Sequence, residues 1–293
     1  MENIEQLYSE YKPLLFSLAY RMLGSLMDAE DIIQEVFLTI NKGIPKDIQN
    51  IKAYLCKSVT NRCIDRLRSA ANQREVYTGP WLPEPHVIGD MAKDPLEIYL
   101  QKESITTAYL LLLQQMSWVE RTVFLLREVL QFNYEEIAEI VGKSSINCRQ
   151  IFHRAKQGLD KNALEIMKEK TQDVQNQTKN VIERFVNLLT SGDTEGIKNL
   201  LVSEATLISD GGGKVKAALR PIYGSNRVCT FLEGILKKVP EGFSFKIREV
   251  NGVPGIVSYV NGQPLNVISF HLVENKIVAI YLVANPDKLG HVH

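Results

Sequence analysis

Tyr134-Glu135-Glu136-Ile137-Ala138-Glu139-Ile140-Val141-Gly142-Lys143-Ser144-Ser145-Ile146-Asn147-Cys148-Arg149-Gln150-Ile151-Phe152-His153-Arg154-Ala155-Lys156 reads as two short helices around a glycine. Ile137, Ala138 and Val141 fall on one face of the first. Gly142 supplies the turn, where a positive φ is easiest. Ser144 or Ser145 caps the second helix. This is the layout of a helix–turn–helix. Charge is distributed to match: residues 142–161 carry five bases against one acid, whereas 120–141 carry five acids against two bases. The basic side chains thus sit on the helix that would enter a major groove. Arg149 and Gln150 are residue types that read guanine and adenine edges, and Lys and Arg hold phosphates. A plain helical hairpin has the same outline, so this stretch alone leaves both readings open.

Upstream, residues 1–75 are helical in pattern. Ile4, Leu7, Tyr11, Leu14, Leu15, Leu18 and Met22 recur at helical spacing. Gly24-Ser25 interrupts the run, and Asp28 caps a second helix or lies in its first turn. That helix carries Ile32, Ile33, Val36, Phe37 and Ile40, and Gly43 and Pro45 end it. A third holds Ile51, Tyr54, Leu55, Val59, Ile64 and Leu67. Residues 1–40 have seven acids against two bases; residues 41–75 have eight bases against three acids. One helical unit with an acidic and a basic half suggests two different partners, one of them nucleic acid.

Residues 76–95 change texture. Their prolines keep the chain extended, and Trp81-Leu82-Pro83-Glu84-Pro85 resembles a docking strip with an aromatic anchor. Residues 96–162 return to helical pattern, and a connecting helix runs through about 185–190. Short Val/Ile/Phe-rich runs follow at 205–209, 243–250, 255–260, 264–273 and 276–283. Turns such as Asn261-Gly262 and Glu274-Asn275 separate them, which predicts strands and hairpins. A helical half followed by an α+β half means separate domains. The expected division is 1–75, a linker at 76–95, 96–162 and 163–293.

The whole chain has 293 residues, 45% of them hydrophobic and 23% charged, with 34 bases and 34 acids. This composition is that of a globular protein of about two or more domains. The balance excludes a uniformly basic coat but not a basic face. Cys56, Cys63, Cys148 and Cys229 lack the CxxC spacing of a zinc ribbon and read as buried, reduced thiols, consistent with the cytoplasm. The first residues do not have the pattern of a signal peptide, and the longest apolar stretch, 108–113, is too short to span a bilayer. No membrane, metal or cofactor is expected.

Several blocks resemble a known family. Asp28-Ala29-Glu30-Asp31-Ile32-Ile33-Gln34-Glu35-Val36-Phe37, with Ala53-Tyr54-Leu55, Asn61, Asp65 and Arg68 after it, is similar to region 2 of extracytoplasmic-function (ECF) sigma factors. Glu120-Arg121, Val123–Glu128, Tyr134–Ala138 and His153-Arg154-Ala155 are similar to region 4. Met116-Ser117-Trp118-Val119 replaces the Leu-Pro or Leu-Ser-Pro usual before Glu-Arg; Ser117 can still cap, and Trp118 is expected in a core. Trp81–Pro85, Asp210-Gly211-Gly212-Gly213-Lys214 and Asn285-Pro286-Asp287-Lys288-Leu289 resemble the subgroup with a C-terminal SnoaL-like extension of the NTF2-like cone fold.

The resemblance implies two all-α sigma domains followed by an α+β cone domain. It implies that Asp28, Glu30, Asp31, Gln34 and Glu35 meet the β′ clamp helices of core RNA polymerase, with region 4 near the β flap. Asn61 would hydrogen-bond a flipped −10 base, with Lys57, Arg62, Arg66 and Arg68 on phosphates. Ser145, Asn147, Arg149, Gln150, His153 and Arg154 would read the −35 element of promoter DNA. The extension would regulate in cis, through contacts of DGGGK and NPDKL with the Trp81 linker. A small-molecule ligand in its pocket is left open.

The C-terminal half holds His271, His291 and His293 with Asp193, Asp210 and Asp287. They form no convincing acid–base constellation, so catalysis is not expected. His271, between Phe270 and Leu272, is expected to face the core or line a pocket. The glycines of DGGGK permit close backbone approach or an anion nest, although GxxxxGK[ST] is absent. Two other readings compete: a ligand-sensing helix–turn–helix regulator, and a cone-fold enzyme tethered to a DNA-binding module. The acidic 28–37 block discriminates, since an operator-binding repressor does not need it.

Overall fold

The computed structural model describes residues 4–43, 45, 48, 50–74, 77–88, 95–103, 105–159 and 172–292. The boundaries expected at 75/76 and 162/163, and His293, lie outside them. The chain forms two compact units: one of residues 1–76, 94–100 and 109–168, the other of residues 77–93, 101–108 and 169–293. The linker expected at 76–95 is therefore mostly part of the second unit.

In the first unit, α1 (Ile4–Leu23), α2 (Leu26–Asn41) and α3 (Ile51–Arg74) pack together. Ser25, not Asp28, is the N-cap of α2: its hydroxyl accepts the Asp28 N–H at 3.1 Å, which leaves Asp28 in the first turn. Ile32, Ile33, Val36, Phe37 and Ile40 are buried, as their spacing requires. α4 (Pro95–Glu103) and α5 (Thr107–Gln115) lead to α6 (Trp118–Phe124), which continues through one π turn, Leu125–Val129. Ser117 and Glu120 form a capping box at its start, so the departure from Leu-Pro keeps a working cap. α7 (Tyr134–Val141) ends on Gly142 at φ 67°, and α8 (Ser145–Gln157) starts from Ser144, whose hydroxyl accepts the Asn147 N–H. Of the two candidate serines, Ser144 is the cap.

α1–α3 and α5–α8 share this unit through specific contacts. Arg121 is 4% exposed. Its guanidinium donates to the carbonyls of Leu113 (2.8 Å) and Met116 (3.4 Å), and to that of Met22 at the end of α1. Asn50 reaches Glu136 at 3.5 Å, and Lys52 lies over the Phe132 ring. Trp118 is half-buried with the Arg68 guanidinium 4.9 Å above its ring.

In the second unit, α9 (Gln172–Ser191), α10 (Thr194–Leu200) and α11 (Ser225–Leu236) pack on a six-stranded sheet. Its strands are β1 (Leu201–Asp210), β2 (Ile222–Tyr223), β3 (Phe243–Val250), β4 (Val253–Val260), β5 (Gln263–Val273) and β6 (Lys276–Val283), in the order β2-β1-β6-β5-β4-β3. β1 and β6 are parallel; the other neighbours are antiparallel. This is the α+β cone architecture that the resemblance implies. The hairpins turn through Asn251-Gly252, Asn261-Gly262 and Glu274-Asn275, all at positive φ, the geometry that matches strand twist. The two-residue β2 and the helices α10 and α11 were not legible as pattern. Phe185, Leu207, Leu232, Ile268, Phe270 and Ile280 form the core under the helices.

His271 is corrected by this register. Ile268, Phe270 and Leu272 face the helices, so strand alternation turns His271, with Ser269, to the other face. It is half-buried there and does not line the pocket between α9, α11 and strands β3 to β5.

Candidate functional site

α2 presents its acids as a row. Asp31, Gln34 and Glu35 are exposed, and Asp28 and Glu30 half-buried, because the apolar positions between them turn inward. α3 presents Lys57, Asn61, Arg66 and Arg68 exposed and Arg62 half-buried. The structure brings the two sets together. Arg62 pairs with Glu35 at 3.0 Å and donates to Thr39 at 2.8 Å. Arg66 pairs with Asp28 at 3.0 Å and Asp31 at 3.5 Å. Arg68 pairs with Asp65 at 3.8 Å and stacks on Trp118. Glu30 holds Lys12 at 3.2 Å. These exposed pairs are each worth under about 1 kcal/mol, so a polyanion or a basic protein surface can exchange them. The crossed pairing was not readable from spacing, since it depends on how α2 lies on α3.

On α8, Asn147, Arg149, Gln150, His153 and Arg154 are exposed and Ser145 half-buried, while Cys148, Ile151, Phe152 and Ala155 are buried. One face is therefore polar and available. Tyr134 braces it: its ring lies 5.2 Å from the Arg149 guanidinium and 4.9 Å from that of Arg127. Sequence reading missed Ile146, 72% exposed beside the polar row. An exposed aliphatic there suits a thymine methyl; its exposure, the telling feature, is not visible in sequence. Lys156 is held by Glu128 at 3.2 Å.

The linker and the C-terminal motifs meet in the second unit. Asp210, at the end of β1, is 0% exposed. Its Oδ1 accepts the Tyr77 hydroxyl at 2.6 Å and the Gly212 N–H at 3.0 Å. Its Oδ2 accepts the Leu82 N–H at 2.8 Å and the Lys288 ammonium at 2.7 Å. Lys288 also donates to the Leu82 carbonyl at 2.6 Å and lies 4.0 Å from the Trp81 ring centroid. Leu82 and Pro83 are buried. Asn285 donates to the Tyr77 oxygen at 3.0 Å and caps the 3-10 turn of Pro286, Asp287 and Lys288; Leu289 is buried behind it. Burial, and then the acceptor Asp210, push the Tyr77 phenol pKa up.

DGGGK is a contact loop with local reasons for its glycines. Gly212 has φ 59°, and a Cβ there would meet the Asn285 amide at 2.3 Å; one on Gly213 would press on Thr78 at 3.0 Å. Lys214 pairs with Asp287 at 2.6 Å on the surface, joining DGGGK to NPDKL. The Gly212 N–H of the loop is donated to the Asp210 carboxylate.

Further along, the linker pairs with the edge of the sheet. Val87 bridges Val250 of β3, Ile88 donates to the Glu249 carbonyl, and His86 exchanges bonds with Asn251. This covers a strand edge that would otherwise be open. Burial, and then the neighbouring His291, hold the His86 pKa down to about 4 from its usual 6.5. The unfolded chain thus binds a proton between these values that the folded chain refuses. The stability contributed by neutral His86 is complete above pH 6.5 and is lost as pH falls toward 4, by on the order of 2–3 kcal/mol. Urea midpoints at pH 7 and pH 4.5 for wild type and His86→Gln should show a smaller acid loss in the variant; equal losses would refute the assignment.

The four cysteines are buried and free. Burial raises the Cys56 thiol to about 12, and Cys63, Cys148 and Cys229 upward as well, so thiolate chemistry is suppressed. Among the described residues no helix is long and apolar enough to cross a membrane, and no group of three or more His, Cys, Asp or Glu could hold a metal ion.

Comparison with known proteins agrees with this geometry. The Sigma-70 region 2 family matches residues 7–73, which contain α2 and all of α3 but its last residue, and the Sigma-70 region 4 family matches residues 106–159, which contain α7 and α8. ECF RNA polymerase sigma factor SigJ of Mycobacterium tuberculosis is 31% identical over 96% of this chain and 92% of that protein. Probable ECF RNA polymerase sigma factor SigI of the same species is 24% identical over 98% and 95%. The crystal structure of SigJ superposes with a TM-score of 0.79 at 28% identity, covering 98% of each chain. Sequence and fold therefore agree from the first helix to the last strand, and the chain belongs to the extracytoplasmic-function RNA polymerase sigma factors.

Proposed function

We propose that this sigma factor docks on the clamp helices of core RNA polymerase through the acidic face of α2, that α3 engages the −10 element and α8 the −35 element, and that the C-terminal domain controls engagement by holding the linker. Asp28, Glu30, Asp31, Gln34 and Glu35 form the polymerase face. Asn61 reads a −10 base while Lys57, Arg62, Arg66 and Arg68 hold phosphates. Ser145, Asn147, Arg149, Gln150, His153 and Arg154 work the −35 element, with Ile146 adding apolar contact. The extension acts as a clamp and not as a catalyst, and the site of action is the cytoplasm, with the polymerase.

The observation that carries the regulatory part is the buried Asp210–Lys288 pair, which grips Leu82 on both its N–H and its carbonyl. That grip holds the described part of the linker, residues 77–88, against the C-terminal domain. The two promoter elements are named for positions about 25 base pairs apart, roughly 85 Å of B-DNA. α3 touches α7, which packs on α8, so α3 and α8 cannot reach both elements at once and engagement requires separation. Docking of the linker biases that equilibrium because it differs between the closed and open arrangements.

Run-off transcription with purified core polymerase tests both parts. Wild type should give a promoter-specific transcript. Trp81→Ala removes the ring under Lys288 and should change transcript yield by about two- to thirtyfold, the range of one partly desolvated cation–π contact. Absence of transcript and of core binding would defeat the sigma reading; a transcript unaltered by Trp81→Ala would defeat only the linker reading.

A further inference from the structure

The helix-packed face of the sheet in the second unit is not filled at its β3–β5 end. A pocket of about 140 Å³ opens there between α9, α11 and strands β3, β4 and β5. Its walls are mainly hydrocarbon, with Leu232, Ile256 and Ile268 at the core side and the hydroxyl residues Thr190 and Ser258 among the lining. Ile235, Val239, Phe245 and Leu265, each 37–41% exposed, surround it as uncovered apolar side chains.

Into this apolar lining β5 inserts an amide. Asn266 occupies the alternation position shared by Ile268 and Phe270, which face the core. Its Oδ1 is buried and has no hydrogen-bond partner. Buried amide oxygens are almost always paired, because leaving one dry costs its full desolvation. The strand is also distorted at this point. The β4–β5 register runs Ser258↔Asn266 and then Tyr259↔Pro264, so Leu265 is an extra, bulged residue. Bulges re-aim side chains beside sites, and this one lets Leu265 and Asn266 both line the pocket. Among the described residues the one charged lining side chain is Lys238, which is exposed. No carboxylate among the described residues lines the space, so a cation would be buried unpaired.

We infer that this pocket binds a small neutral molecule with an apolar body the size of one ring and one hydroxyl that donates to Asn266 Oδ1. The volume sets the size: an apolar cavity of about 150 Å³ takes up a single benzene. The inference stands on the second unit alone and does not depend on the clamp reading.

Isothermal titration of the full chain with 4-methylphenol and with toluene tests it, because the pair share a shape and differ in the donor. A site built around a buried acceptor should reject the analogue that leaves it unpaired, and 4-methylphenol should bind at least about tenfold more tightly. Asn266→Leu should abolish that preference while retaining toluene. Leu265→Trp, a change at an exposed position, should block both. Should Asn266→Leu fail to fold, the wild-type comparison and its loss in Leu265→Trp still decide. Binding of neither compound, equal binding of both, or an undiminished preference in Asn266→Leu would overturn the proposal; the first would leave Asn266 served by water.

Discussion

Lys288→Met should destabilise the second unit by about 3–5 kcal/mol, the cost of removing one partner of a buried ion pair. The loss is not that of one favourable contact. Asp210 remains, 0% exposed, with its charge uncompensated and only the N–H groups of Leu82 and Gly212 and the Tyr77 hydroxyl left to solvate it. The methionine keeps most of the volume against Trp81 but supplies no donor to the Leu82 carbonyl. The linker at residues 77–88 should loosen with it. Chemical denaturation of the full chain should show the shift, and limited proteolysis should cut near Trp81 earlier than in wild type. Asp210→Asn combined with Lys288→Met should cost less than the two single changes added together, since neither charge is then left alone. A single-variant shift below about 1 kcal/mol would mean that the pair is effectively solvated and that the clamp is weak.

Arg121→Lys should cost nearly as much, about 3 kcal/mol, although charge is conserved. Arg121 spreads its donors over three carbonyls, of Leu113, Met116 and Met22, which come from α5, the turn before α6 and the end of α1. Lysine has one nitrogen and cannot reach all three, so buried carbonyls are left dry. Because Met22 belongs to the region 2 part and Arg121 to the region 4 part, the variant should also loosen the hold between them. The expected result is a lowered unfolding midpoint with increased hydrogen exchange in α6. Unchanged stability would show that water replaces the guanidinium at little cost.

Much of this was legible because it depends on short-range rules. Ile32, Ile33, Val36, Phe37 and Ile40 had to share a face, and that face is buried. Gly142 and the capping serine punctuate α7 and α8 as glycine and hydroxyl side chains do in any chain. Asn261-Gly262 forms its hairpin because both residues tolerate positive φ. His271 shows where such reasoning slips: the alternation that places Phe270 and Leu272 against the helices puts it, half-buried, on the opposite face with the buried Ser269.

Local pattern thus settled most of the helical and strand segments, the order of helical and α+β parts and the exposed faces that carry charge, but not β2, α10 or α11. It did so because helix and strand periodicity act over a few residues. Long-range packing alone settled which charges meet. Arg62 and Arg66 find Glu35, Asp28 and Asp31 only when α3 lies against α2. Asp210 finds Leu82 and Lys288, 128 and 78 residues away, only once the sheet has closed. The same holds for Asn266, an ordinary polar residue on a strand until folding buries its oxygen in a hydrocarbon pocket. Burial and pairing are properties of what the fold brings alongside a side chain, and no sequence neighbour supplies them.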